Sequence, residues 1–358
     1  MTNRLEKIRK QLAQKGLEAI FISQSENRRY LSGFTGSAGF LLISQQRAIL
    51  ATDFRYVEQA QAQAPDFEII KIQGEIPKWF PPLASELNAV KLGFEGKALS
   101  FSTYKEMADA LGDAKKKISL VPTNDLVESL RAVKDKEELE LLVKAAALAD
   151  AAIEYIIPRI KPGASEEELA WEIESFLRRN GSEPLPFELI VASGSNSAMP
   201  HAKPTDKIIR SGEPVVIDIG AKVAGYTSDI TRTICLGNQD SKFQRIYDIV
   251  LGAQLTAIAT IQAGMTGEQA DHLGRSVIER AGYKDNFGHG LGHGVGLATH
   301  EEPRLGTNST TILTEGMVFT VEPGIYISGW GRVRIEDMAV LEDGKVRLLT
   351  KSEKIERA

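Results

Sequence analysis

The sequence predicts a mixed α/β (α+β) chain of two domains, and three observations carry that expectation. At 358 residues the chain exceeds what one hydrophobic core usually serves. Its first 125 residues alternate short apolar runs with polar helical patterns, the texture of a small α/β domain. From Lys134 the texture changes to a long amphipathic helical pattern, after which helix and strand alternate to the C-terminus. The boundary is placed near residue 126, giving domains 1–126 and 127–358.

The opening MTNRLEKIRKQLAQKG sets Leu5, Ile8 and Leu12 on one helical face and lacks the apolar core of a signal peptide. The runs AIFIS (Ala19–Ser23), GFLLIS (Gly39–Ser44), RAILA (Arg47–Ala51), EIIKI (Glu68–Ile72) and KLGFEG (Lys91–Gly96) read as strands. FRYVEQAQAQA and TYKEMADALG read as helices between them. The glycine-rich GFTGSAG (Gly33–Gly39) precedes a strand and does not match GxGxxG, so it reads as a tight turn or a substrate contact rather than a dinucleotide site. KDKEELELLVKAAALADAAIEYIIPRI is a long amphipathic helix that stops before Lys161-Pro162-Gly163. ASEEELAWEIESFLRRNG is a second helix, with Ser165 as N-cap and Glu168 three residues on completing a capping box.

Composition excludes several function classes. A net charge of −5 argues against phosphate neutralisation, hence against a nucleic-acid binder. No apolar run reaches the length of a membrane span. The single cysteine, Cys235, rules out intrachain disulfides and thiolate-rich zinc sites. The expectation is a cytoplasmic protein without nucleic-acid or membrane partners.

One internal similarity points to chemistry. PVVIDIGAKVAGYTSDITRT (Pro214–Thr233) and MVFTVEPGIYISGWGRVRIEDM (Met317–Met338) share a plan: an apolar β run with a carboxylate, a glycine turn, and a second β run with another carboxylate. The pairs are Asp218 with Asp229 and Glu322 with Glu336. Carboxylates among branched apolar residues are expensive to bury without a positive partner. Arg232, Arg332 and Arg334 could supply part of it, and a pair of divalent cations supplies it better. Carboxylates with histidine and no thiolate suit Mn²⁺, Co²⁺ or Zn²⁺. Two carboxylates can bridge ions about 3.5 Å apart, where water ionises near neutral pH.

The chain has five histidines, and His289, His293 and His300 all fall in FGHGLGHGVGLATHEEP. This is not HExxH, because Gly290 stands where the glutamate would be. The glycines disfavour a helix and fit a loop or irregular strand close to a site. His201 lies in the turn-rich SAMPHAKP, while His272 sits in a helical run and reads as structural.

The motifs MPHAKP, VIDIGAKVAGYTSDITRT, GHGLGHGVGLATHEEP and VEPGIYISGWGRVRIED resemble the Xaa-Pro peptidases of the pita-bread fold, aminopeptidase P and prolidase. The resemblance covers essentially the whole chain, and GFTGSAG with ATDFRYVEQA looks like the bacterial two-domain aminopeptidase P type. It implies a creatinase/prolidase-type first domain followed by a pita-bread metallopeptidase domain. It also implies two divalent ions, Mn²⁺ before Co²⁺, Zn²⁺ or Fe²⁺, and hydrolysis of the N-terminal Xaa-Pro bond of proline-containing peptides by a metal-bridging hydroxide.

By that resemblance Asp218 holds one ion, His293 and Glu322 the other, and Asp229 and Glu336 bridge. His201 and His300 bind the scissile peptide, His289 acts from just outside the ligands, and Glu322 also shuttles a proton. Tyr326 and Arg334 stand beside the ligands. A homodimer is implied as well. Prolidase, confined to dipeptides, is the alternative, and Arg304 is then the candidate for the free prolyl carboxylate. A catalytically dead binding relative or a creatinase-like amidinohydrolase is disfavoured, because every ligand position is filled.

Overall fold

Apolar runs rich in branched residues make most of the expected strands, and four further elements of the first unit are ones that the pattern alone does not announce. A computed structural model describes residues 2–112 and 117–355. The chain divides into two units, Met1–Arg131 and Ala132–Ala358.

The first unit runs α1 (Thr2–Gln14), β1 (Ala19–Ile22), α2 (Ser25–Ser32), β2 (Phe40–Ser44), β3 (Ala48–Thr52), α3 (Val57–Gln63), β4 (Glu68–Lys71), α4 (Ile76–Glu86), β5 (Lys91–Glu95), α5 (Phe101–Gly112), β6 (Ser119–Thr123) and α6 (Leu126–Ala132). Its six strands form one sheet in the order β4-β3-β2-β1-β5-β6. Leu5, Ile8 and Leu12 are buried, as their spacing predicts. Four elements lie outside the sequence reading: α2, α4, β6 and α6. In α4, Pro81 and Pro82 conceal a helix that the burial of Trp79, Phe80 and Leu83 sustains. In β6, Pro122 is tolerated because the strand is the sheet's edge. GFTGSAG is a loop held from α2: buried Arg28 donates to the carbonyls of Gly39 and Gly36 at 2.7 and 2.6 Å.

The second unit is a duplication. Its first half runs α7 (Lys136–Ile156), α8 (Glu166–Arg179), β7 (Ile190–Ser193), β8 (Pro214–Ile219), β9 (Lys222–Val223), β10 (Tyr226–Thr227) and β11 (Ile230–Cys235). Its second half runs α9 (Ser241–Thr260), α10 (Gly267–Arg280), β12 (Gly292–Gly294), β13 (Glu301–Leu305), β14 (Val318–Val321), β15 (Gly324–Ile327), β16 (Gly331–Arg334), β17 (Asp337–Glu342) and β18 (Lys345–Leu348).

In each half an outer antiparallel pair encloses an inner hairpin. β8 pairs β11 around β9 and β10, and β14 pairs β17 around β15 and β16. The likeness of the two sequence stretches is therefore a likeness of nested hairpins, and a helix pair precedes each. The N-caps repeat too. Ser165 and Thr266 both complete capping boxes, and both bridge to a later segment, at Ile208 and Ile312. The α7–α8 pair packs on the β8–β11 strands through residues such as Ile153, Ile173, Val215 and Ile230. No described helix is long and apolar enough to cross a membrane.

The Ser165 cap is tied to the fold and not to the site. Ser165→Ala is expected to cost about 1 kcal/mol of stability, read as a lower urea midpoint at unchanged slope, with turnover per folded molecule unaltered.

Candidate metal centre

The duplication delivers the carboxylates. Asp218 sits in β8 opposite Thr231, and Asp229 immediately precedes β11. Glu322 immediately follows β14 and Glu336 immediately precedes β17. All four therefore lie where an outer strand pair gives way to its inner hairpin. Asp218, Asp229 and Glu336 are buried, and the Glu322 side chain is 12% exposed. Ligand atoms of Asp229, His293 and Glu336 lie within 4.8 Å of one another. His293 Nε2 stands 3.2 Å from Glu322 Oε1 and 3.7 Å from Asp229 Oδ2. Asp218 is bound by Arg334 through one oxygen, and its Oδ1 is buried with no hydrogen-bond partner.

These groups repel one another strongly. Burial first, then the charges of Glu322 and Asp218, push the Glu336 carboxyl up to about 8. Burial and the charges of Glu336 and Asp218 raise Asp229 as well. Burial opposes charge on His293, but the hydrogen bond and charge of Glu322 more than offset it and lift the imidazole to about 9. Burial likewise opposes ionised Glu322, and His293 outweighs it, holding that carboxyl at about 2. Without a cation the cluster therefore retains protons at neutral pH. Divalent ions in their place remove the conflict.

The donor chemistry fits. His293 Nδ1 lies 3.0 Å from Gly294 O, and a carbonyl only accepts, so Nδ1 carries the proton and Nε2 offers a lone pair toward the carboxylates once neutral. The oxygen-rich set contains no thiolate, and Cys235 is buried in the core elsewhere. Asp229, His293 and Glu336 could hold one ion, with Glu322 and the free Asp218 oxygen at their edges.

The glycine-rich stretch forms the irregular strand β12, with a bulge between His293 and Gly294. It runs between β13 and β14, and Gly292 is needed because a Cβ there would strike the Thr320 carbonyl. Two α10 side chains clamp it. Asp271 accepts from the Leu291 amide at 2.9 Å, and Arg275 donates to the carbonyls of His289 and Phe287. His289 Nδ1 meets Gly290 O at 2.8 Å, so its Nε2 accepts from Tyr326 OH, also at 2.8 Å. Tyr326 OH in turn accepts from Arg334 at 3.2 Å. Burial lowers the His289 pKa, and the Arg334 charge adds to that. The His300 ring lies 4.3 Å from that of His293, and burial and the His293 charge lower its pKa. His201 is exposed and close enough to His300 to oppose its protonation. Arg304 is exposed on β13, in register with His293.

Of the three arginines expected among the carboxylates, only Arg334 binds one. Arg232 instead pairs with Asp337 at 2.7 Å and binds the Glu336 and Ser352 carbonyls. Arg332 binds the Met199 and Pro200 carbonyls. Three positioning groups escaped the sequence reading. Thr231 accepts from Arg334 and donates to Glu336 at 2.5 Å. Thr320 accepts from the His293 amide and donates to Glu322 at 3.1 Å. Buried Gln254 of α9 places its Nε2 3.1 and 3.2 Å from the carbonyls of Val321 and Ile335, the residues just before Glu322 and Glu336. A threonine in a strand or a glutamine in a helix carries no pattern that separates it from an ordinary one.

A carboxylate-rich, thiolate-free centre between two nested hairpins defines a metal-dependent class of protein. Residues 140–343 match metallopeptidase family M24, and residues 4–133 match the creatinase/prolidase N-terminal domain. The Xaa-Pro dipeptidase of Pyrococcus furiosus is 38% identical over 99% of each chain. The solved structure of a Xaa-Pro dipeptidase from Bacillus anthracis superimposes with a TM-score of 0.95 at 44% identity, covering 100% of this chain and 99% of that one. That of an X-Pro aminopeptidase from Thermotoga maritima gives 0.89 at 35%, covering 99% of each. The chain belongs to metallopeptidase family M24. It is a metallopeptidase, with a creatinase-type first domain and a pita-bread catalytic domain.

The electrostatics predict how stability responds to chelation. In the metal-free folded protein Glu336 and His293 keep protons up to about 8 and about 9, whereas unfolded they release them near 4.5 and 6.5. Their contribution is therefore full at low pH and lost as pH rises through the folded values. Calorimetry of chelated protein should show a lower Tm at pH 8.5 than at pH 6, and Mn²⁺ should raise the pH 8.5 value most. A chelated Tm that rises over this interval contradicts the mutual repulsion.

Proposed function

We propose that the protein is a Xaa-Pro dipeptidase, a prolidase that uses two divalent ions, Mn²⁺ by preference. The observation that carries this reading is Arg304, an exposed cation whose position pairs in register with His293 across the β12–β13 ladder. A dipeptide substrate ends in a free prolyl carboxylate, and an arginine can bind it through paired hydrogen bonds. The full-length likeness to Xaa-Pro dipeptidases supports the same choice. It displaces the aminopeptidase expected from GFTGSAG and TDFRY. The aminopeptidase remains the second reading, favoured by the Thermotoga maritima structure. Family likeness also underlies the homodimer and cytoplasmic residence that we infer.

In this reading Asp218 would hold one ion and His293 and Glu322 the other, with Asp229 and Glu336 contributing to both. Bound divalent ions supply Lewis acidity toward the scissile carbonyl and acidify the attacking water. Glu322, 3.2 Å from His293, accepts the proton that water gives up and delivers it to the departing prolyl nitrogen. His300, kept neutral by burial, and exposed His201 donate to the carbonyl oxygen as it gains charge. His289 holds Tyr326, which with Arg334 keeps Asp218 in place. An Xaa-Pro amide has no N–H, so peptidases that bind that N–H fail on it and a dedicated pocket is required.

Rates on Xaa-Pro, Xaa-Pro-Yaa and Xaa-Ala-Yaa with Mn²⁺ decide the matter. Cleavage confined to Xaa-Pro is expected. Comparable turnover of Xaa-Pro-Yaa would select the aminopeptidase. Arg304→Ala should raise KM for the dipeptide about 10- to 100-fold, the worth of a charged hydrogen bond.

The ligand assignment has its own test. Asp229→Ala and Glu336→Ala should abolish activity, and His293→Ala should lose metal. His201→Ala and His300→Ala should keep metal while kcat falls about 10²-fold. Elemental analysis beside kinetics separates these outcomes, and metal loss in all three histidine variants would overturn the roles given to His201 and His300.

A further inference from the structure

Arg332 is fully buried on β16, yet no carboxylate hydrogen-bonds it among the described residues. Its Nη1 donates to Pro200 O at 2.7 Å and Met199 O at 3.0 Å, while Nε and Nη2 are buried without partners. A buried guanidinium satisfied on one side only is costly, and an apolar side chain of similar size is commonly as stable or more so. The fold therefore keeps Arg332 at some expense. What it grips is the pair of residues directly before His201.

The segment that carries His201 has an anchor besides Arg332. Its ends are held by Glu166, a fully buried carboxylate of α8. Glu166 accepts from the Ser193 amide at 2.7 Å and Asn196 Nδ2 at 2.7 Å on one side of the loop, and from Thr205 Oγ1 at 2.8 Å on the other. Met199, 54% exposed, and Pro200 lie at the surface, and the Met199 carbonyl also accepts from the Ala202 amide at 3.2 Å. Glu166 thus fixes the stem of the loop, and Arg332 fixes its tip.

We propose that Arg332 is a positioning residue that acts through His201, holding the Met199-Pro200 carbonyls so that the imidazole meets the scissile peptide in one orientation. This rests on the peptidase reading above, in which His201 contacts substrate. Orientation of one donor is worth a large rate factor, because a loose tip samples unproductive placements. It follows that activity and stability should separate at this position.

The test uses the Mn²⁺-loaded full chain as wild type, Arg332→Met, Arg332→Lys, His201→Ala and the double variant Arg332→Met/His201→Ala. Arg332→Met should keep its metal and a Tm no lower than wild type, while kcat on Xaa-Pro falls about 10- to 100-fold and KM changes far less. Arg332→Lys should recover part of kcat. In the His201→Ala background Arg332→Met should add less than about twofold, as expected for residues acting in series. Independently of substrate, hydrogen exchange of the 198–204 peptide should quicken about tenfold in Arg332→Met alone. Unchanged kcat, additive losses in the double variant, unchanged exchange, or an Arg332→Met protein that fails to fold each overturns the proposal. A wild type inactive on Xaa-Pro refutes the Xaa-Pro dipeptidase reading instead, and the exchange measurement still judges Arg332.

Discussion

Four carboxylates that repel one another share one buried space, and the catalytic domain is organised around holding them there. Asp218, Asp229, Glu322 and Glu336 sit at equivalent junctions of two nested hairpins. Neither hairpin alone could bury its pair at tolerable cost, since one histidine and one arginine cannot balance four ionised groups. The raised values of Asp229 and Glu336 measure the imbalance that remains. Divalent cations would complete the balance, and metal binding and the stability of this domain would then belong to one equilibrium.

The surroundings restrain each junction through backbone groups more than through charge. Gln254 ties the carbonyls just before Glu322 and Glu336 to one amide on α9. The Glu336 amide donates to Thr231 O at 3.1 Å, joining the second half directly to the first. Thr231 and Thr320 play matching parts, each donating to one carboxylate. The clamp of Asp271 and Arg275 on the His289 loop does the same for the imidazoles. The geometry of the site side chains is thus set largely by regular elements, which hold tighter positions than loops can. His201 is the exception: it rides on a loop and depends on the Glu166 stem and the Arg332 tip for its place.

Local sequence determined a good deal here. Hydrophobic period gave β1 to β5, α7 and α8, and the Ser165 box marked a helix start that the structure reproduces. The four carboxylates and His293 were legible because charge inside a branched apolar run, and histidine in a chain with five, are each improbable without a purpose. Their repetition at matching places in two stretches suggested two related halves, and only the structure showed each as an outer strand pair around an inner hairpin. Helix α4 was not legible, since its prolines speak against a helix and only the burial of Trp79 and Phe80 outweighs them.

Tertiary structure alone decided which cations meet which anions. Arg232, Arg332 and Arg334 are alike in sequence, being arginines in β runs near the motif. Position along the strand and the elements packed opposite it sent Arg232 to Asp337, Arg332 to the Met199-Pro200 carbonyls and Arg334 to Asp218. The same holds for Thr231, Thr320 and Gln254, whose roles arise from contacts more than 60 residues apart or from strand geometry. The residue types a metal site needs are a local property of the chain. The partners that orient them come from elements brought together only on folding, so no local pattern encodes them.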